Sequence, residues 1–304
     1  MIIKAEPSMT DELREIWKTC FPQNDPRYTD FYFKTQYKPE NCYVMMEDGK
    51  PVSVLMRNPH AIMFNGRVLQ TSMILGVATL PEYRHKGYMH KLMKTVLDAC
   101  DHTELLTLIQ AADPKMYEPM GFRMIYNRRK YTLERKDVQR TTNFGCSFEP
   151  AALDLLKVYS VFIRRFNGFY PRDLEYFINY KKQVHAEGGK IVAYYNGKDQ
   201  IRGYAVFVPV DDELMAEEII YLDSQSLNKL CNAGLQEKKK IHLLVSDAED
   251  LSKVFPNAAC RRYQSTMVRL NEPDLFSRLF KRRISSVEEA FALSQRPLNL
   301  NEFS

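Results

Sequence analysis

The stretch Val77–Met93, VATLPEYRHKGYMHKLM, contains a change of hydrophobic period. Residues 67–79, RVLQTSMILGVAT, read as a strand. From Met89 the apolar positions are Met89, Leu92, Met93, Val96 and Leu97, which is helical spacing. A strand therefore enters the turn Tyr83–Met89, and an amphipathic helix leaves it with its apolar stripe toward a sheet. The first N–H groups of a helix lack intrahelical partners and the dipole is positive there, so such a turn binds phosphate. Gly87 lets the backbone approach the anion, and Arg84, His85 and Lys86 add positive charge. By itself, a basic turn with a permissive glycine is equally well read as solvated surface.

Two neighbouring features sharpen this reading. Gly76-Val77-Ala78-Thr79 is a strand end just before the turn. An acyl-pantetheine arm can pair with such an edge through its amides, as an added strand does. Tyr117 stands four residues before Gly121-Phe122, after the next strand. A phenol, with a reference pKa near ~10, can protonate a departing thiolate, whose thiol lies near ~8.5. Each feature also has an ordinary reading: an interior strand, and a packing tyrosine with its hydroxyl in water.

Outward from this centre the chain shows a plan that occurs twice. Thr10–Phe21 reads as an amphipathic helix with Thr10 as its cap, and 30–37 as a second, aromatic-rich helix. Apolar runs flank Asp48-Gly49, a hairpin signal because the turn needs positive φ. Leu105–Ile109 reads as a buried strand, Asp113–Met120 as a loop with a short helix, and Met124–Leu133 as a further strand. In the second half, strands Ile191–Tyr195 and Ile201–Val208 flank Asn196-Gly197. Then come strand Glu218–Leu222, a helix through Leu227, Leu230 and Leu235, strand Ile241–Val245, short helix Leu251–Phe255 and strand Arg262–Leu270. Hairpin, strand, helix, strand, helix, strand thus repeats, which implies an internal duplication. Turn and breaker residues in Thr141–Pro150 mark the boundary. The expected domains are 1–140 and 150–270, with a tail, 271–304, carrying one helix over Val287–Leu293. The fold class is α/β (α+β), with two tandem domains, each a mixed, mostly antiparallel sheet flanked by helices.

Composition bounds the rest. The 304 residues are 45% hydrophobic and 27% charged, an ordinary globular balance that suits two domains. A net charge of +5 accords with an anionic cofactor and is too small to argue for nucleic acid. The basic clusters Arg128-Arg129-Lys130, Lys238-Lys239-Lys240, Arg261-Arg262 and Lys281-Arg282-Arg283 are scattered without aromatic interleaving, as on a solvated surface. The six cysteines show no metal or CxxC spacing, so no metal is expected and the thiols suit a reducing compartment. With no signal-like start and no spanning stretch, the expected place is the cytoplasm, away from membranes. Asp211, Asp212, Glu213, Glu217 and Glu218 form an acidic stretch, read as a solvated loop before a strand.

Taken together, VAT, RHKGYM, the helix, the strand and YEPMGF resemble the Gcn5-related N-acetyltransferase (GNAT) superfamily. The resemblance at motif level covers roughly residues 1–135. Arg84-His85-Lys86-Gly87-Tyr88-Met89 stands where the family has its Q/R-x-x-G-x-G/A pyrophosphate loop, and Met89 departs from the final Gly or Ala. The duplicated plan is similar to that of the enhanced-intracellular-survival (Eis) acetyltransferases of bacteria. The resemblance implies acetyl-CoA as donor and a primary amine on a small molecule or peptide as acceptor. It implies that Val77, Ala78 and Thr79 contact the pantetheine arm, and that His85, Lys86, Gly87, Tyr88, Met89 and His90, with Arg84, cradle the pyrophosphate. Ala112 and Asp113 would lie near the reactive end, and Tyr117 would be the general acid. The family uses the terminal carboxylate as general base, here Ser304. It usually carries a third, sterol-carrier-like domain, for which the roughly thirty-four residues after Leu270 are too few. Relatives assemble, so a homo-oligomer is among the expected partners. The second half meets its helix at Tyr221-Leu222-Asp223-Ser224-Gln225-Ser226, with no glycine or basic residue, so that half is not expected to bind acetyl-CoA. The alternative from another class is a non-catalytic acyl-CoA-binding regulatory module.

Overall fold

The computed structural model describes residues 1–302. They fall into two compact units. The first comprises Met1–Ile125, Thr266–Ser294 and Glu302; the second comprises Tyr126–Ser265 and Gln295–Asn301. The units interleave along the chain, where the sequence reading set out contiguous segments 1–140, 150–270 and 271–304.

The first unit opens with β1 (Ile2–Lys4), α1 (Thr10–Cys20), α2 (Pro26–Thr35), β2 (Cys42–Glu47), β3 (Lys50–Phe64), β4 (Arg67–Thr79), α3 (Tyr88–Cys100) and β5 (Leu106–Ile109). Thr10 does not cap α1. It is the first helical residue, and its hydroxyl donates to the Pro7 carbonyl at 2.8 Å. Helix α2 starts earlier than expected because Asp25 caps it, accepting from the Arg27 N–H at 2.8 Å, with Pro26 at the first position. Asp48 and Gly49 take φ 49° and 76°, the positive pair a tight hairpin needs. A second such hairpin, at Asn65 (φ 46°) and Gly66 (φ 79°), joins β3 to β4.

β6 (Arg123–Glu134) leads into the second unit, followed by β7 (Cys146–Ser147), α4 (Ala152–Phe162), α5 (Leu174–Ala186), β8 (Lys190–Tyr195), β9 (Ile201–Val210), β10 (Glu213–Tyr221), α6 (Ser224–Glu237), β11 (Lys240–Ser246) and β12 (Ala259–Leu270). Helices α4 and α5 are additional to the sequence reading; the ALDLLKVYSVF of α4 is apolar nearly all round, which blurs its period. The Asn196 turn is longer than a two-residue one: its Oδ1 accepts from Lys198 and Gln200 N–H, each at 3.0 Å, and Asp199, not Gly197, takes positive φ. Leu251–Phe255 is a run of turns and not a helix. After β12 the chain adds α7 (Pro273–Phe280) and α8 (Val287–Ala292) to the first unit.

Within each unit the same pairing recurs. In the first, β1, β2, β3 and β4 pair antiparallel in that order, β4 pairs β5 in parallel across helix α3, and β12 closes antiparallel on β5. In the second, β7, β8, β9 and β10 pair antiparallel, β10 pairs β11 in parallel across α6, and β6 closes antiparallel on β11. The closing strand of each half is thus used by the unit of the other half. Leu92, Met93, Val96, Leu97 and Cys100 of α3 are buried with Ile74 and Ile109 in the core of the first unit. Burying each of the larger of these contributes about 1.5–3 kcal/mol.

Candidate active site

The site begins where β4 and β5 part. Their parallel pairing ends at Ile74 opposite Ile109. Against β3, Val54 faces Ala78 and Met56 faces Leu75, so Gly76 and Val77 together oppose Leu55 in a bulge. Gly76 has φ +61°, and a Cβ there would lie 2.3 Å from Trp17 Cζ3; only glycine permits this close approach. Beyond the bulge, the β5-side edge of Val77, Ala78 and Thr79 has no strand partner among the described residues. The β3 side is fixed: Ser53 Oγ donates to the Ala78 carbonyl at 2.7 Å and shares a 2.7 Å hydrogen bond with Thr79 Oγ1.

The turn after β4 is shaped for an anion. Arg84 is extended, His85 is left-handed at φ 63° and Gly87 is left-handed at φ 77°. Alternation of this kind turns successive N–H groups into a concave nest. Gly87 is the N-cap of α3, and no side chain caps this end. Arg84 Nε donates to the Thr79 carbonyl at 3.2 Å, holding its guanidinium at the turn. Cys20 Sγ reaches the same carbonyl at 3.4 Å. Lys86 Nζ lies 3.7 Å from a Glu47 carboxylate oxygen and 4.7 Å from the Tyr83 ring centre. A hydrogen bond with Glu47 pushes the Tyr88 phenol up to about 12. His85 and His90 are exposed. Met89 packs against the core of the unit, so its side chain does not crowd the N–H groups.

Beyond β5, Ala112 and Asp113 are exposed, and Asp113 Oδ1 accepts from the Lys115 N–H at 3.1 Å. Tyr117 is 8% exposed and meets Phe122 edge-on, with ring centres 6.3 Å apart. Burial, then the charge of Asp113, raises its pKa, so the phenol keeps its proton at neutral pH. Ser304 lies outside the described residues. Gln110, at the end of β5, donates from Nε2 to the Glu302 carbonyl at 2.6 Å. Ser53, Glu47, Cys20 and Gln110 escaped the sequence reading because only strand register and the returning tail bring them here.

The second unit repeats the topology with other contents. Beyond Ala216 the strands β10 and β11 part at a bulge. Buried Arg128 crosses the gap, with Nη2 donating to the Glu217 carbonyl at 3.0 Å and the Leu244 carbonyl at 2.8 Å. Burial lowers its pKa to about 10, so it is still cationic at neutral pH. Arg172 pairs with Glu218 at 2.8 Å, both side chains 1% exposed, and Tyr204 donates to the same carboxylate. The tail joins them: Asn301 Nδ2 donates to Glu218 at 3.0 Å and Ser246 Oγ to the Leu298 carbonyl at 2.9 Å. At the head of α6, Asp223 accepts from the Ser226 N–H at 2.7 Å and from Arg202 at 2.6 Å. The acidic stretch is dispersed: Asp211 and Asp212 form a hairpin turn, the glutamates belong to β10, and Glu218 is interior.

Residues 1–125 match the family model of the acetyltransferase (GNAT) domain. This segment is a GNAT domain. Solved structures of similar fold include a conserved protein from Enterococcus faecalis, 18% identical, TM-score 0.74, covering 90% of this chain and 73% of its own. A GCN5-related N-acetyltransferase from Kribbella flavida is 15% identical at TM-score 0.73, with coverages of 93% and 73%. Eis1 from Mycobacterium abscessus is 12% identical at TM-score 0.68, with coverages of 91% and 75%. These likenesses extend the fold assignment beyond the GNAT domain, as two tandem domains require. No curated protein matches the chain. Among the described residues no helix is long and apolar enough to cross a membrane, and no group of side chains is set to hold a metal ion.

Proposed function

We propose that the chain is an acetyl-CoA-dependent N-acetyltransferase with one donor site, at the head of α3 in the GNAT domain. The observation that carries this is the uncapped helix start behind a nest of alternating φ, beside the unpaired edge of β4. Val77, Ala78 and Thr79 would hold the pantetheine arm as an added strand. Arg84 and the backbone of His85–His90 would hold the pyrophosphate, and Ala112 and Asp113 would flank the reactive end. Acetyl-CoA supplies the acetyl thioester. Tyr117 donates its proton to the leaving sulfur, and strand N–H groups stabilise charge on the carbonyl oxygen. The acceptor is a primary amine, which must lose a proton; Ser304 is the proposed base. The six cysteines are free, which accords with a cytoplasmic setting.

The test follows release of free thiol from acetyl-CoA with a panel of amines. Tyr117→Phe should lower kcat by about 10²-fold or more, with the acetyl-CoA KM unchanged. An unchanged kcat removes Tyr117 from the role. Acetyl-CoA binding without turnover on any amine would favour the non-catalytic acyl-CoA-binding module.

A further inference from the structure

The first unit holds a second polar cleft, far from the helix α3 turn. Phe64, at the start of the β3–β4 hairpin turn, packs with Phe276, Phe280 and Phe291 at ring-centre distances of 6.3, 5.6 and 5.2 Å. Asn65 Nδ2 donates to the Leu293 carbonyl at 2.9 Å. Helices α7 and α8 are therefore fixed at the Arg67 end of β4. Thr79 is twelve residues along that strand, about 40 Å at ~3.3 Å per residue.

The cleft lies between α7 and the loop 281–285, with a volume of about 520 Å³. Its charged lining is Arg278, Arg282, Arg283 and Asp274. None of the three arginines has a carboxylate within ion-pair distance among the described residues. The loop that presents two of them is held by its own backbone. Lys281 takes φ 53°, the Arg282 N–H donates to the Ser277 carbonyl at 3.1 Å, and the Ile284 N–H donates to Ser277 Oγ at 2.9 Å. Ile284 is buried, which anchors the loop from below. The volume is in the range of small-ligand sites, about 300–1,000 Å³. Such sites are usually apolar, whereas this one offers three planar guanidinium forks against the Asp274 carboxylate in the lining and that of Glu289, held on Ser285 and interacting with Arg283. Guanidinium forks match phosphate oxygens in pairs.

We propose that this cleft binds a small ligand bearing two or more phosphate groups. The proposal is independent of acetyl transfer. The probe is inorganic tripolyphosphate, titrated calorimetrically into the full chain without coenzyme A, whose own phosphates would compete for the cleft; a site kept in Gly87→Val and lost in Arg282→Ala/Arg283→Ala is this one. The expected result is saturable binding of one equivalent, weakening as salt rises. Arg282→Ala/Arg283→Ala should weaken it at least tenfold, with folding and acetyl transfer unchanged. A control pair with equal loss of charge elsewhere, Lys253→Ala/Arg261→Ala, should leave it within twofold. Absence of saturable binding to the wild type, or equal loss in both double variants, overturns the proposal. If acetyl-CoA yields no free thiol with any amine, the donor-site reading falls, while the contrast between the two double variants still decides this one.

Discussion

The heads of α3 and α6 are the same point of the fold with opposite fillings. Each helix follows a strand that bulges away from its parallel neighbour. At α3, Gly87 contributes no side chain and the first N–H groups face outward from a basic turn. At α6, the Asp223 carboxylate caps the helix and Arg202 neutralises it, so the anion is built in. The gaps between the strands differ in the same sense. Beside β4 the edge is unpaired, whereas beside β10 the guanidinium of Arg128 takes the carbonyls of both strands. A fold that creates a polar gap must satisfy it, with a ligand or with its own residues.

Three variants test the contrast between the two helix heads. The largest expected effect is on stability. Arg172→Ala leaves Glu218 interior without its counter-charge, which should cost about 3–5 kcal/mol, read as a lower denaturation midpoint. A loss under ~1 kcal/mol would show that the cluster does not hold the second gap closed. Next, Gly87→Val puts a β-branched residue at φ +77°. The cost of keeping that conformation is about 1–3 kcal/mol, so acetyl-CoA affinity should fall roughly tenfold or more in a chain that still folds. Nothing lies within 4 Å of an added Cβ, so steric clash would not explain the loss. Unchanged affinity would detach the turn from the donor. The smallest effect is that of Asp223→Ala, about 1 kcal/mol for a lost cap. It should not create a second acetyl-CoA site, because Arg128 still spans the strands. A second equivalent bound by this variant and not by the chain with Asp223 intact would mean that the cap alone separates the two units.

How much of this the sequence revealed depends on the range of the interaction. The strand-to-helix switch at Tyr83–Met89 is local: period, glycine and charge all fall within seven residues, so β4 and α3 could be read directly. Met89 looked like a departure from the pyrophosphate-loop pattern, and packing accounts for it, since its side chain belongs to the core stripe. Asp223 could be read as hostile to phosphate, although its role as a cap needed the geometry of α6. Arg128 could not be found this way. In sequence it sits in a basic run beside Arg129 and Lys130, and strand alternation alone sends it inward while Arg129 stays half-exposed. The exchange of closing strands was equally hidden, because β6 and β12 have the same local pattern whichever partner they choose. The tail was expected to carry one helix, and its end does more: Asn167 pairs with Pro297 and Asn299, Ser246 holds Leu298, and Leu300 is buried.

The proposed donor site is one of two like-built helix heads. The measurement is calorimetric titration with acetyl-CoA of the chain carrying Arg282→Ala/Arg283→Ala, which disables the cleft beside α7. One equivalent per chain is expected, weakened at least tenfold by Gly87→Val and unaffected by Asp223→Ala. Two equivalents per chain, or one that survives Gly87→Val at full affinity, would contradict it.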